Sequence, residues 1–223
     1  MKMAVEASEI KAKYDKDYKD RKFGGGGYTS KWILKLLSPV KGRRLLDIGC
    51  GQGLLLKEAQ RLGIDACGID ISSEAIKLAS ANSPSSDIIC GDAHRLNWDD
   101  DYFDYITNIG SLEHFEKPEL CFKEMKRVIN KDGKVCIMLP NLYYYRHIID
   151  KVLSNKAPTS YQIIERFASL SEWTRLIEDN GFKIERIHKY NKFNRSKWLI
   201  FLRSVFVPLR LSHHFVFICK RRP

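Results

Sequence analysis

The sequence predicts an α/β fold: a doubly wound, seven-stranded, mostly parallel sheet whose last strand is antiparallel. Three observations carry this. Short apolar runs alternate with helix-period segments from residue 43 to residue 139, as strands joined by crossover helices do. Leu45-Leu46-Asp47-Ile48 runs into Gly49-Cys50-Gly51-Gln52-Gly53, and a helix pattern begins at once. A buried strand therefore ends in a sharp glycine-rich turn. The segment 103–108 has little polarity on either face, as expected of a central parallel strand.

In order along the chain, 5–18 reads as a polar, charged helix and 28–37 as a second helix, with Trp32, Leu36 and Leu37 on its apolar side. Gly24-Gly25-Gly26-Gly27 breaks the chain between them, a workable hinge. Strand 43–48, helix 53–62 and strand 65–69 come next. Ser72 is placed to cap a helix over 73–81. Further strands lie at 87–90 and 103–108, then a helix over 118–128. The turn Asn130-Lys131-Asp132-Gly133 leads into strand 134–139. Helix 170–180 stops at Gly181, and strands 182–190 and 213–220 close the sheet. Two stretches interrupt the alternation. The first, 142–166, is expected to be partly helical; the second is 191–212. The reading is a helical cap over 1–42 and a ligand-binding domain over 43–223, with insertions at 141–169 and 191–212 forming the acceptor side.

Bulk composition narrows the function. The 223 residues suit one domain, and 44% hydrophobic residues support a core. No apolar run is long enough to span a membrane, and Met1 to Asp20 is charged without an apolar signal-peptide centre. The expectation is a cytoplasmic protein. The six cysteines form no C-x-x-C pair, which argues against a zinc site or a disulfide framework; no metal is expected. The net charge is +11, and eleven of the 38 basic residues but one of the 27 acidic ones, Glu185, lie from Gly181 onward. That basic tail is either a solvated face or a surface for an anionic partner.

The ligand signal lies in three acids set at successive strand ends. Gly49, Gly51 and Gly53 fall at alternate positions, unlike the G-x-G-x-x-G dinucleotide fingerprint. Asp70 ends the second strand 19 residues after Gly51, where a carboxylate accepts from two ribose hydroxyls. Gly68 beside it is expected to let the ligand approach the backbone. Gly91-Asp92-Ala93 ends the third strand. Asp92 can accept from an adenine amine, and the Ala93 N–H can donate to a ring nitrogen. His94 suits packing or adenine stacking.

Together these residues resemble the motifs of the class I S-adenosylmethionine-dependent methyltransferases, in the small-molecule, type 11-like branch. The resemblance covers 45–140 well and the two C-terminal strands loosely. It implies a Rossmann-like methyltransferase fold, S-adenosyl-L-methionine as cofactor and S-adenosyl-L-homocysteine as product. The implied cofactor-binding residues are Asp47, Gly49, Cys50, Gly51, Gly53, Asp70, Ile71, Asp92, Ala93, Asn108 and Ile109. Asp47 and the Gly49 backbone suit the cofactor's ammonium; an N-terminal tyrosine or Arg21 suits its carboxylate. Ser111-Leu112-Glu113-His114-Phe115 comes after strand four, where that branch commonly carries a histidine. His114 is thus the candidate general base, since histidine titrates nearest neutral pH. Glu113, Tyr14, Tyr18, Tyr143 and His147 are its rivals. Asp104 reads as structural.

The acceptor is read from the residues after strand four and from the insertions. Asn108 precedes Ile109-Gly110-Ser111 and not the Pro-Pro-aromatic run of base-amine methyltransferases. That argues against nucleic acid as partner. Tyr143-Tyr144-Tyr145-Arg146-His147 is placed to help form the acceptor site. The segment 197–211 mixes bulky apolar with basic residues: it is a core cap, a pocket lid or a peripheral contact with an anionic membrane. The expected function is methyl transfer to a small-molecule or lipid-linked acceptor at oxygen. The alternatives are an RNA- or protein-directed methyltransferase using the basic tail, and a catalytically idle cofactor-binding module serving a partner.

Overall fold

The computed structural model describes residues 7–20, 27–154, 164–191 and 205–222. Seven strands form one sheet: β1 (Arg44–Ile48), β2 (Asp65–Asp70), β3 (Asp87–Cys90), β4 (Phe103–Ile109), β5 (Ile129–Pro140), β6 (Phe182–Tyr190) and β7 (His214–Arg221). Their order is β3-β2-β1-β4-β5-β7-β6. Only β7 opposes its neighbours, running antiparallel to both β5 and β6. The helices are α1 (Ala7–Lys19), α2 (Gly27–Leu37), α3 (Leu54–Arg61), α4 (Ser73–Asn82), α5 (Pro118–Val128), α6 (Tyr145–Ser154) and α7 (Leu170–Asp179).

Strand alternation divides the core between the sheet's two faces. Leu46 and Ile48 pack with Phe122 and Trp173 on one face. Leu45 packs with Ile33, Leu34 and Leu56 on the other. Chain progression reverses at β1, which pairs with β2 on one side and β4 on the other. The loops after these strands diverge there and leave a crevice at their carboxyl ends, the usual ligand position in such sheets.

Local chemistry explains the elements that border the crevice. Ser72 caps α4, its hydroxyl accepting from the Ala75 N–H at 3.2 Å. Ser169 and Glu172 form a reciprocal capping box on α7. That helix anchors to the sheet through the Trp173 indole, which donates to the Pro140 carbonyl at 2.8 Å.

One boundary differs from expectation. The turn expected at 130–133 lies inside β5, which starts at Ile129. Phe103 pairs with Ile129 but Tyr105 with Lys134, so Asp104 alone faces four residues of β5. The bulge is held by the Asp104 carboxylate, which accepts from Asn130 Nδ2 at 2.8 Å and from the Arg44 N–H at 2.9 Å. Asn-Lys-Asp-Gly does turn, but the ladder resumes on both sides of it. Of the expected insertions, 142–166 supplies α6, while 155–163 and 192–204 lie outside the described residues, as do Arg21 and Gly24 to Gly26.

Candidate active site

A cavity of about 730 Å³ opens over the carboxyl ends of β1, β2, β3 and β4. Its floor is the glycine loop. Gly49 and Gly51 hold φ of +71° and +53°, in the left-handed region that favours glycine. A side chain at Gly49 would strike Ser111 Oγ at 2.5 Å, and one at Gly51 the Tyr18 hydroxyl at 2.8 Å. The loop is therefore pressed from both sides. Beyond it, the Asp70 carboxylate accepts from the Gly51 N–H and from the Ser72 N–H, each at 2.9 Å. These bonds aim the carboxylate while leaving lone pairs for hydroxyl donors. Burial raises the Asp70 pKa against them.

Asp47 lies deeper. Its carboxylate accepts from Thr107 Oγ1 at 2.6 Å. Burial, only partly offset by that bond, pushes its pKa up to about 7. A buried acid poised this way is well matched to a cationic group arriving in the cavity.

At the far end, Asp92 Oδ1 accepts from the His94 N–H at 2.9 Å and lies 2.8 Å from His94 Nδ1. The His94 ring meets Phe115 edge-on, and its buried Nε2 has no partner among the described residues. Ile71, Ala93 and Ile109 line the same wall.

His114 also lines the cavity, next to Phe115 in sequence, on a single 3₁₀ turn over Leu112–His114. Its Nδ1–H donates to the Ile164 carbonyl at 2.6 Å. A carbonyl can only accept, so the bond places the proton on Nδ1 and leaves the Nε2 lone pair free to take one. Burial holds the imidazole below the ordinary histidine range, and the bond to Ile164 partly opposes this. Glu113 Oε1 lies 3.7 Å from Nε2. Burial pushes Glu113 up to about 8, so it stays protonated at neutral pH. The segment 164–166 is also tied to this turn by the Arg166 N–H, which donates to the Glu113 carbonyl at 3.0 Å.

The structure brings together most of the residues singled out from sequence. Asp47, Gly49, Cys50, Gly51, Asp70, Ile71, Asp92, Ala93, Ile109 and His114 all line the one cavity. Three others do not. Asn108 is fully buried, and its Oδ1 accepts from the Leu112 N–H at 3.0 Å, shaping the loop before His114. Gly53 stands behind the wall, where a Cβ would lie 3.0 Å from Ala79. Gly68 does not admit ligand: Leu56 and Cys50 fill the space its side chain would take, at 2.6 and 3.0 Å. Among the rivals for the base, Tyr14 and Tyr18 line the cavity while Tyr143 and His147 do not. Burial raises both cavity tyrosines far above the ordinary phenol value, which disfavours either as a base.

The sequence reading missed Tyr190, whose hydroxyl meets Thr29 Oγ1 at 2.8 Å on the cavity wall. A tyrosine closing an otherwise amphipathic strand was the available sign.

The fold, and a cavity at the carboxyl ends of its strands, are those of a ligand-binding α/β protein. A family model described as a methyltransferase domain matches residues 46–137. The ubiquinone biosynthesis O-methyltransferase of Coxiella burnetii is 28% identical over 172 residues, covering 71% of this chain and 74% of that protein. The mitochondrial enzyme of that name from Rattus norvegicus is 26% identical over 170 residues, 70% of this chain and 49% of its own length. An S-adenosylmethionine-dependent methyltransferase from Mesorhizobium loti superposes with TM-score 0.65 over 86% of this chain and 98% of its own, at 18% identity. This chain is therefore similar to methyltransferases in sequence over residues 46–137 and in fold over most of its length.

Proposed function

We propose that this chain binds S-adenosylmethionine along the cavity and methylates an oxygen of a small or lipid-linked acceptor presented at His114. The observation that carries the reading is the tautomer of His114: its Nδ1 proton is committed to Ile164, and Nε2 of this cavity-lining histidine makes no hydrogen bond among the described residues, with Glu113 Oε1 3.7 Å away.

The cavity's residues fit the cofactor. Asp70 would hold the ribose hydroxyls, Asp92 and the Ala93 N–H the adenine, and Asp47 with the Gly49 backbone the ammonium. When bound, the cofactor supplies a methyl group on a sulfonium, which an acceptor oxygen can displace in line with a neutral thioether leaving. The leaving group is already good, so the protein mainly orients, an effect worth ~7–11 kcal/mol at best. His114 Nε2 takes the hydroxyl proton as the new C–O bond forms. A positioned base contributes about 10²–10⁴-fold.

The O-methyltransferase names of the relatives support oxygen as the acceptor atom and a small molecule as its carrier. The acceptor is tested by methyl transfer from labelled cofactor into a cell extract fractionated into lipid, glycan, RNA and protein. Label is expected in the lipid or another small-molecule fraction. Label in RNA alone or protein alone would refute the assignment, and no label in any fraction would favour an idle binding module.

Asp47 gives the cofactor assignment a proton signature. With a pKa of about 7, it is roughly half protonated at neutral pH before ligand arrives. An ammonium beside it favours the carboxylate, so binding should expel a fraction of a proton and tighten as pH rises through 7. Calorimetry of S-adenosylhomocysteine binding at pH 7, in two buffers of different ionisation enthalpy, should give different apparent heats. Equal heats would remove Asp47 from the ammonium site.

A lipid-linked acceptor also suits the surface. The helix α6 has no buried residue, and it exposes Val152 at 77% and Leu153 at 80%. Of the expected membrane segment 197–211, residues 197–204 lie outside the described residues, and Phe206 is 75% exposed. Among the described residues, no helix is long and apolar enough to cross a membrane. Peripheral contact with an anionic bilayer would use these apolar residues and the basic segment from Gly181 onward. Vesicles containing phosphatidylglycerol should therefore sediment the protein, and neutral phosphatidylcholine vesicles should not. Phe206→Glu with Val152→Glu should reduce sedimentation several-fold. Equal behaviour on both vesicle types would contradict the contact.

A further inference from the structure

We propose that Asp15 is a positioning residue for the cofactor site: it clasps α1 to the first turn of α4 and so holds Tyr14 and Tyr18 over the glycine loop. The proposal rests on the cofactor assignment above and goes beyond it, because Asp15 itself does not line the cavity.

Asp15 is one residue after Tyr14 and three before Tyr18 on α1. Its Oδ1 accepts from Ser72 Oγ at 2.6 Å and from the Glu74 N–H at 3.2 Å. Both carboxylate oxygens lie 3.4 Å from Ser73 Oγ. One carboxylate thus meets three consecutive residues at a helix N-terminus, where a negative charge is favoured by the unpaired N–H groups and the helix dipole. These bonds to Ser72, Glu74 and Ser73 lower its pKa despite partial desolvation, so the clasp is charged at neutral pH.

The same chain of bonds continues into the site. Ser72 Oγ donates to Asp15 while accepting from the Ala75 N–H. The Ser72 N–H donates to Asp70 Oδ1, and Asp70 Oδ2 accepts from the Gly51 N–H. The glycine loop, the ribose-binding acid, the α4 cap and α1 are therefore connected in one continuous series of contacts. On the far side, Tyr18 returns to Gly51 and closes the ring. Ordering Asp70 by ligand orders the end of α4 that Asp15 grips, so cofactor binding and closure of α1 support each other.

The test compares wild type, Asp15→Ala and Asp15→Asn. Calorimetry reads S-adenosylhomocysteine affinity, and amide exchange reads protection of α1. Asp15→Ala should weaken binding about tenfold or more and lose ligand-induced protection of α1, with exchange in the central strands unchanged. Asp15→Asn keeps an acceptor oxygen and should restore a substantial part of both. Wild-type affinity and protection in Asp15→Ala would overturn the clasp. Equal weakening in both variants would show that the acceptor oxygen at this position does not carry the clasp, and would overturn it as stated. Failure of the wild type to bind the ligand would instead count against the cofactor assignment.

Discussion

Asp70→Ala should weaken S-adenosylhomocysteine binding by at least about a hundredfold while the protein stays folded. The carboxylate is fixed by two backbone donors, Gly51 and Ser72, and so meets a ribose diol without reorganising. Hydrogen bonds to a charged group are worth about 1.5–3 kcal/mol each, and two of them amount to roughly two to four powers of ten in affinity. Removing the acid also releases the Gly51 N–H, so the loop should loosen and add to the loss. The sheet does not depend on Asp70, because β2 pairs along its length with β1 and β3. Circular dichroism should accordingly remain that of the wild type. Retained affinity in a folded variant would move the ribose elsewhere.

His114→Ala should preserve cofactor affinity and lower turnover by at least about tenfold. The pH dependence carries further information. Burial lowers the His114 pKa, and the neutral imidazole is the form that accepts a proton. Activity should therefore rise with pH through an inflection on the acid side of 6.5 and be level near neutrality. Glu113 remains protonated until about pH 8, so it does not compete for the acceptor proton below that point. Above it, the new anion 3.7 Å from Nε2 should raise the basicity of His114, an effect that Glu113→Gln should remove. An unchanged rate in His114→Ala would take the histidine out of the chemistry, and a simultaneous fall in affinity would make it a cofactor contact.

Both expectations depend on features that are legible in sequence for local reasons. The glycines at 49 and 51 announce themselves because only a left-handed turn against close neighbours needs them there. Ser72 is legible because a cap precedes its own helix by one residue. Asp70 and Asp92 are legible because strand ends fall at regular intervals in this fold.

The features hidden from sequence depend on partners distant along the chain. The bond from Ser72 to Asp15 spans 57 positions and that from Tyr190 to Thr29 spans 161, and no local pattern encodes either. Gly68 misleads for the same reason: the sequence shows that space is needed but not that Leu56 fills it. Asn108 sits at the right strand end for a ligand contact, yet its amide turns inward to Leu112. The start of β5 is obscured because its bulge has the composition of a free turn.

The most direct test of the site is a crystal structure of the complex with S-adenosylhomocysteine. The expected result has both ribose hydroxyls on Asp70, the adenine amine at Asp92, and the sulfur turned toward His114 beneath Tyr14. A ligand lying in the reverse sense, with its adenine away from Asp92 and its ribose away from Asp70, would contradict the assignment.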